Sequence, residues 1–303
     1  MVVGGDSPRP DHREDVVIVV TGASGLLGRE IVERLAERLP AARIGVSVRD
    51  PEKARGLAER GIRVRRGDFA DTASLAHAFE GASQVLIVSI DGIGETAVRA
   101  HRAAIDAAGT AGAKRILYTS HMGVNPSSPF PPMADHAATE AALRDSGMIF
   151  TALRNGFYAS TTGLLLRAAL ATGELAVPED GPVSWTAHAD LAEAAAVILA
   201  EEPFDGPSPA LTGSQAIDMN GVAALASELT GRTIRRVVVS DADYRASLAG
   251  HGVPEPAADM LVGMFAASRQ GEFAQVDPAL SGLIGRPPTS LRDVLKATLA
   301  STG

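Results

Sequence analysis

Residues 16–35 read VVIVVTGASGLLGREIVERL. The run Val16–Val20 is short, β-branched and nearly continuous in hydrophobicity, as a strand buried on both faces is. It passes through Gly22, Gly25 and Gly28 into an amphipathic helix expected over Leu26–Leu39. Gly22 permits a tight turn. Gly25 lets backbone N–H groups approach a pyrophosphate, and Gly28 lets the helix pack on the strand. The helix N-terminus adds partial positive charge. Ala23, Ser24, Leu26 and Leu27 complete this candidate cradle. The spacing is G-x-x-G-x-x-G rather than G-x-G-x-x-G. A glycine triplet alone is a weak signal, and a plain tight turn is the alternative. Its weight here comes from its place at the first strand–helix junction.

The alternation continues outward. Ile44–Val48, Ile62–Val64, Val85–Val88, Ile116–Tyr118 and Ile149–Leu153 read as further strands. Pro51–Arg60, Ala73–Phe79 and Thr96–Ala111 read as the helices between them. This predicts an α/β fold, a Rossmann-type doubly wound parallel sheet, over residues 15–160. Residues 161–303 predict a smaller, mainly helical C-terminal substrate region, interleaved with the first domain or separate from it. Helices are expected at Ala168–Val177, Val222–Thr230, Ala242–Gly250 and Pro256–Ser268, with extended pieces near Val183–Trp185, Ala210–Leu211 and Val237–Val239. Pro126–Pro132 predicts a rigid loop, and residues 1–14 a disordered tail.

Composition narrows the function classes. The chain has 303 residues, 46% of them hydrophobic, enough for a large core. It has no cysteine, which excludes disulfides, thiolate catalysis and Cys-based zinc. A net charge of −8 argues against a nucleic-acid partner. No apolar run suits a membrane span or a signal peptide, so a soluble cytoplasmic protein is expected.

The end of the second strand bears on cofactor choice. It carries an acid when NAD is bound; here it reads VSVRDPEKA, residues 46–54. Arg49 and Lys53 suit a 2′-phosphate, so NADP(H) is expected over NAD(H). Asp50 is read as the cap of the helix beginning at Pro51. Asp68 and Phe69 fall where an adenine would rest, and Ser89, after the fourth strand, joins the candidate cofactor set.

The segment ADHAATEAAL, residues 134–143, puts His136 and Glu140 on one helix face. Two ligands at i and i+4 could begin a metal site, but no third is evident and there is no HExxH, so no metal is expected. Glu140 is read as a fold-supporting residue on an exposed helix face. His12, His77, His101 and His251 are read as tail or helix-surface residues, His121 and His188 as structural residues near loop ends, and Asp190 as a helix cap. Trp185 shapes the pocket or is an ordinary core aromatic.

With these residues in hand the chain resembles the NmrA-like atypical short-chain dehydrogenases, nearest their NADPH-dependent quinone oxidoreductase and triphenylmethane or azo dye reductase types. The resemblance rests on VTGASGLLG, VRDPEKA, RILYTSHMG, DHAATEAALRDSGMIFTALRNGFYAS, AHADLAEAAA and GLIGRPPTSLRDVL. It covers nearly the whole chain after the tail. It implies that Asn155, Gly156, Phe157, Tyr158, Ala159 and Ser160 lie along the nicotinamide half of the cofactor. Relatives commonly have Trp at the place of Phe157 and Glu-Asn at that of Ala159-Ser160.

Catalytic short-chain dehydrogenases use a Ser, and a Tyr four residues before a Lys. Ser120 stands where the Ser belongs; His136 and Glu140 stand where Tyr and Lys belong. The resemblance therefore implies acceptors that take hydride without a strong acid: quinones, azo bonds or cationic dyes. His136 is a candidate either for proton delivery or for orienting cofactor or substrate, and Tyr158 is the other candidate catalytic side chain. The expected partner is a small, flat, conjugated substrate; a homodimer stays open. The alternatives are an NADP(H)-binding redox sensor and a reductase for one biosynthetic intermediate.

Overall fold

The computed structural model describes residues 17–201 and 204–300; the expected tail and Val16 lie outside them. Seven parallel strands form the central sheet in the order β10-β6-β5-β4-β1-β2-β3. They are β1 (Ile18–Thr21), β2 (Ile44–Val48), β3 (Arg63–Arg66), β4 (Gln84–Ile87), β5 (Arg115–His121), β6 (Ile149–Asn155) and the two-residue β10 (Gly206–Pro207). Strand order reverses direction at β1, which is flanked by β2 and β4. That switch point opens a crevice beyond the carboxyl ends of the strands, where open α/β sheets bind ligands.

Helices cover both faces. One layer holds α1 (Leu26–Ala36), the short α2 (Arg55–Ala58) and α7 (His188–Glu201); the other holds α3 (Thr72–Phe79), α4 (Glu95–Thr110) and α5 (Pro131–Asp145). Val19, Val85, Ile87, Ile116 and Tyr118 bury into the second layer, Ile18, Val20, Leu86 and Leu117 into the first. This period-2 division is why the strands read as unbroken apolar runs. Although α7 comes late in the chain, it packs on α1, and β10 extends the sheet beside β6.

The remaining elements gather around a separate core: α6 (Ser160–Thr172), α8 (Met219–Thr230), α9 (Asp241–Gly250), α10 (Glu255–Arg269), α11 (Ala279–Ile284) and α12 (Leu291–Ala300), with parallel pairs β8 (Glu174–Pro178) with β11 (Arg235–Val239) and β7 (Phe157–Tyr158) with β9 (Trp185–Thr186). That core centres on Phe157, Trp185, Phe265 and Phe273. Of these helices, α11 packs mainly in the core shared by α1 and α7.

Several local expectations change. The helix expected over Ala168–Val177 stops at Thr172; Gly173 takes φ 80° and turns the chain into β8. Pro131 opens α5, so the rigid loop expected over Pro126–Pro132 is shorter, with proline at the first helical turn. Pro51–Ala54 is a 3-10 turn, and α2 follows it. Asp190 is fully buried in α7. It accepts bonds from Arg286 Nη2 (2.7 Å) and the Thr289 N–H (2.6 Å), so it ties the C-terminal segment to the sheet layer and is more than a helix cap.

Candidate cofactor and acceptor site

The glycine turn sits at the switch point. Gly22 takes φ 65°, strained for any residue with a Cβ. The Gly25 N–H donates to Gly22 O at 2.9 Å, and a Cβ on Gly28 would lie only 2.4 Å from that same oxygen. Gly25 precedes α1 and no side chain caps the helix. Its first-turn N–H groups have no side-chain cap, and Ser24, Gly25 and Leu26 are exposed around them. Ala23, Leu27 and Gly28 are buried beneath, where they set the turn against the sheet.

At the end of β2, Arg49 and Lys53 are exposed and form no ion pair among the described residues. Asp50 accepts from the Glu52 N–H at 3.1 Å, so it caps the turn beginning at Pro51. Arg66, at the end of β3, is held by Asp71 at 2.8 Å. Asp68 accepts from the Ala70 N–H at 3.0 Å while its own N–H donates to Ser74, so it shapes the turn into α3. Phe69 stands edge-on to His101, ring centres 6.4 Å apart. The Ser89 N–H donates to Thr119 Oγ1 at 2.8 Å, which joins the ends of β4 and β5.

Strands β5 and β6 and helix α5 build the other side. Ser120 donates to Glu140 at 2.8 Å, and Arg154 on β6 clasps the same carboxylate through Nε (3.1 Å) and Nη2 (2.9 Å). Glu140 is only 1% exposed, which corrects its reading as an exposed helix residue. Its hydrogen bonds, and after them its charge, hold the Arg154 guanidinium above its ordinary value against the lowering effect of burial. The face of α5 that carries His136 and Glu140 is turned to the sheet, because Tyr118 and Ser120 alternate onto that side of β5. Tyr118 Oη lies 2.8 Å from His136 Nδ1. His101 is likewise buried rather than on the surface, at 2% exposure, and joins Thr139 at 3.0 Å. Burial pulls His101 down to about 4.

An aromatic cluster lies at the strand ends. His121 is stacked on His136, centres 6.2 Å apart at 23°. It also stands edge-on to Phe157 (5.4 Å) and Phe273 (5.5 Å). Phe130, at the head of α5, packs on Phe157 at 5.8 Å, and Trp185 meets Phe157 at 5.4 Å. Trp185 thus backs the cluster and donates its Nε1–H to Ile217 O at 2.9 Å. Burial pulls His121 down to about 3. Burial, and then the neighbouring His121 and His101, pull His136 down to about 3. Both rings are neutral at pH 7.

The LRNGFY segment bends here. A Cβ on Gly156 would lie 2.2 Å from Thr186 Oγ1 and 2.9 Å from Leu211 O, so only glycine fits. Asn155 is 2% exposed and its Oδ1 has no hydrogen-bond partner among the described residues. The Tyr158 ring lies on His188, centres 4.2 Å apart. Burial pushes its phenol up, against a lowering hydrogen bond from Asn155; the Asp91 charge adds to the rise. Sequence reasoning missed Tyr118, Arg154, Phe130 and Phe273. Tyr118 had a signal in the alternation of β5; Phe273 is an isolated aromatic in a turn and had none.

Comparison with known proteins places this geometry. A family model described as NAD(P)H-binding matches residues 22–202. The chain belongs to the NAD(P)H-binding family. It is 36% identical over 278 residues to Quinone oxidoreductase 2 of Escherichia coli, covering 91% of this chain and 96% of that protein. The structure of that enzyme complexed with NADPH superposes with a TM-score of 0.89, covering 95% of this chain and all of the other. The NAD(P)H azoreductase of Xenophilus azovorans is 30% identical, covering 95% of this chain and 99% of that protein. The Citrobacter triphenylmethane reductase complexed with NADP(H) has a TM-score of 0.86 at 33% identity, covering 93% and 99%. The resemblance drawn from the sequence motifs and the doubly wound parallel fold both hold. No helix of the described residues is long and apolar enough to cross a membrane.

Proposed function

We propose that the protein is an NADPH-dependent reductase of flat, conjugated acceptors of the quinone type. The observation that carries this reading is the neutral His121–His136 stack and its aromatic cluster at the carboxyl ends of β5 and β6, beside the family's cofactor crevice. The wall is aromatic and uncharged, built of rings that meet largely edge to face, and no charged side chain belongs to the ring cluster itself; Glu140 is spent on Ser120 and Arg154. Such a wall favours a neutral aromatic ring over a charged or saturated substrate.

The residues present fit a dinucleotide. Gly22, Ala23, Ser24, Gly25, Leu26, Leu27 and Gly28 would cradle the pyrophosphate on the open N-terminus of α1. Arg49 and Lys53, unpaired among the described residues, would hold a 2′-phosphate, which is the basis for NADP(H) over NAD(H). Asp68 and Phe69 would border the adenine, and Ser89 and Ser120 the middle of the crevice. Asn155, with its orphaned Oδ1, then Gly156, Phe157 and Tyr158 would line the nicotinamide; a carboxamide N–H is the kind of donor that Oδ1 lacks.

A bound nicotinamide supplies the hydride. The chain contributes position, exclusion of water and hydrogen bonds. An alkoxide product would need a strong acid, and neither His136 nor Tyr158 is one: His136 is neutral and the Tyr158 phenol is raised. Charge arriving on a quinone spreads over the ring and a phenolate oxygen, for which a neutral donor suffices. Phe157 and His121 would flank the acceptor.

The test is NADPH consumption followed by absorbance with a benzoquinone, beside NADP⁺ reduction with simple secondary alcohols. Turnover is expected with the quinone and none with the alcohols. Tight NADPH binding with no consumption on any quinone, azo or dye acceptor would overturn the reading in favour of a sensor.

A further inference from the structure

A buried phenol must place its proton, and around Tyr118 the choices can be counted. Tyr118 is 0% exposed. Its hydroxyl lies 2.8 Å from His136 Nδ1, and the Thr139 hydroxyl also bears on it. Thr139 already donates to Asp135 O at 2.8 Å. It also stands 3.0 Å from His101 Nδ1. The other nitrogen of His101, Nε2, accepts the Ile90 N–H at 3.2 Å. A neutral imidazole that accepts at Nε2 carries its proton on Nδ1. His101 therefore donates to Thr139, which has then given its proton and filled one lone pair. The acceptor left for Tyr118 is His136 Nδ1, since an imidazole nitrogen accepts more strongly than a hydroxyl that already holds a bond.

We propose that Tyr118 is a positioning residue for His136: its hydroxyl locks the imidazole in the Nε2–H form and presents that N–H as a fixed donor to the oxygen of a bound quinone-like acceptor. The acceptor half of this statement rests on the reductase reading above; the ring assignment rests on hydrogen-bond accounting alone. Nε2 lies on the ring edge away from Nδ1, and His136, though its ring is largely desolvated, is a half-buried residue and not a fully buried one. The His121 ring lies near-parallel beside it, centres 6.2 Å apart. A neutral N–H of this kind stabilises developing negative charge without giving up its proton, and no reorganisation is needed as the charge arrives. The chain of bonds ends at two backbone groups, Asp135 O and the Ile90 N–H, rather than at water. It is a lock on a ring form and not a proton wire. In the balanced reaction the acceptor gains a hydride from the reduced cofactor and its proton from solvent, and His136 ends as it began.

The experiment uses the full-length protein. Long-range proton–nitrogen NMR of its histidine rings reads the ring forms directly. In the wild type, His136 is expected to show an acceptor-type Nδ1 and a protonated Nε2. In Tyr118→Phe the ring is expected to become a mixture of both forms while NADPH binding is unchanged. With a benzoquinone, kcat should fall about three- to tenfold in Tyr118→Phe. The double variant Tyr118→Phe/His136→Ala should be no slower than His136→Ala alone. A protonated Nδ1 in the wild type, or a ring form unaffected by Tyr118→Phe, overturns the lock. A ring form that changes while kcat does not overturns the donor role. Failure of the reductase reading looks different: the wild type itself then consumes no NADPH.

Discussion

The crevice has two halves built by different means. The β1–β2 half is a backbone device: glycines bring main-chain N–H groups to the surface, and two cations that form no ion pair among the described residues stand beside them. The β5–β6 half is a side-chain device. Its members come from β5, α5, β6, β7, β9 and a turn near residue 273, and most of its polar groups are paired with one another, Asn155 Oδ1 being an exception. The first half holds its shape locally. The second exists only when distant segments are packed, so its chemistry and the stability of the fold are linked. Substitutions in the two halves should fail differently.

The largest effect is expected at the turn. Gly25→Val places a branched side chain beside Gly22 O, which a Cβ at that position would approach to 3.3 Å, and would fill the proposed pyrophosphate position. NADPH affinity should fall at least ~100-fold with little loss of melting temperature. Calorimetric titration and thermal melting check this; wild-type affinity in the variant would move the site elsewhere.

The second half should respond to acid. His101, His121 and His136 are held below their ordinary value in the folded protein. The unfolded chain therefore binds protons first, and stability is lost as pH falls below about 6.5. Each ring should cost roughly 1–2 kcal/mol by pH 5. The urea midpoint should drop between pH 7 and 5, and His101→Gln should shrink that drop. A midpoint flat over this range would refute the burial of these rings.

Glu140→Gln comes next. It leaves Arg154 without its charge partner, though that guanidinium is 35% exposed and water softens the loss. A cost of about 2 kcal/mol is expected, with melting about 4 °C lower. Arg49→Ala should cost NADPH binding a comparable ~1.5–3 kcal/mol and leave NADH binding unchanged. Equal affinity of the wild type for the two cofactors would sink that assignment.

The smallest effect is expected at His136. His136→Ala should lower quinone turnover about tenfold or less, a lost donor rather than a lost acid. Because the ring is neutral across pH 5 to 8, the wild-type kcat should show no break there that the variant removes. A thousandfold loss with such a break would make His136 the catalytic acid.

How much was legible follows the same division. The strands, the glycine turn and the Asp50 cap are local, and periodicity or spacing reveals each. Glu140 and His101 were misread because an Ala-rich helix has small side chains on every face, so its apolar stripe does not announce which side turns inward. The helix expected over Ala168–Val177 ran on because β8 is also apolar; Gly173 was the stop signal that was passed over.

By itself the sequence determined the doubly wound sheet, the place of the glycine turn and the absence of thiol chemistry. These depend on residues near one another in the chain, whose geometry a few dihedrals set. Only the tertiary structure decided that Tyr118 meets His136, that Ser120 and Arg154 both close on Glu140, and that Phe273 enters the aromatic cluster. Those partners are 14 to 20 residues apart in the polar contacts and far more for Phe273. Their meeting is set by strand register and helix packing, which no local pattern encodes.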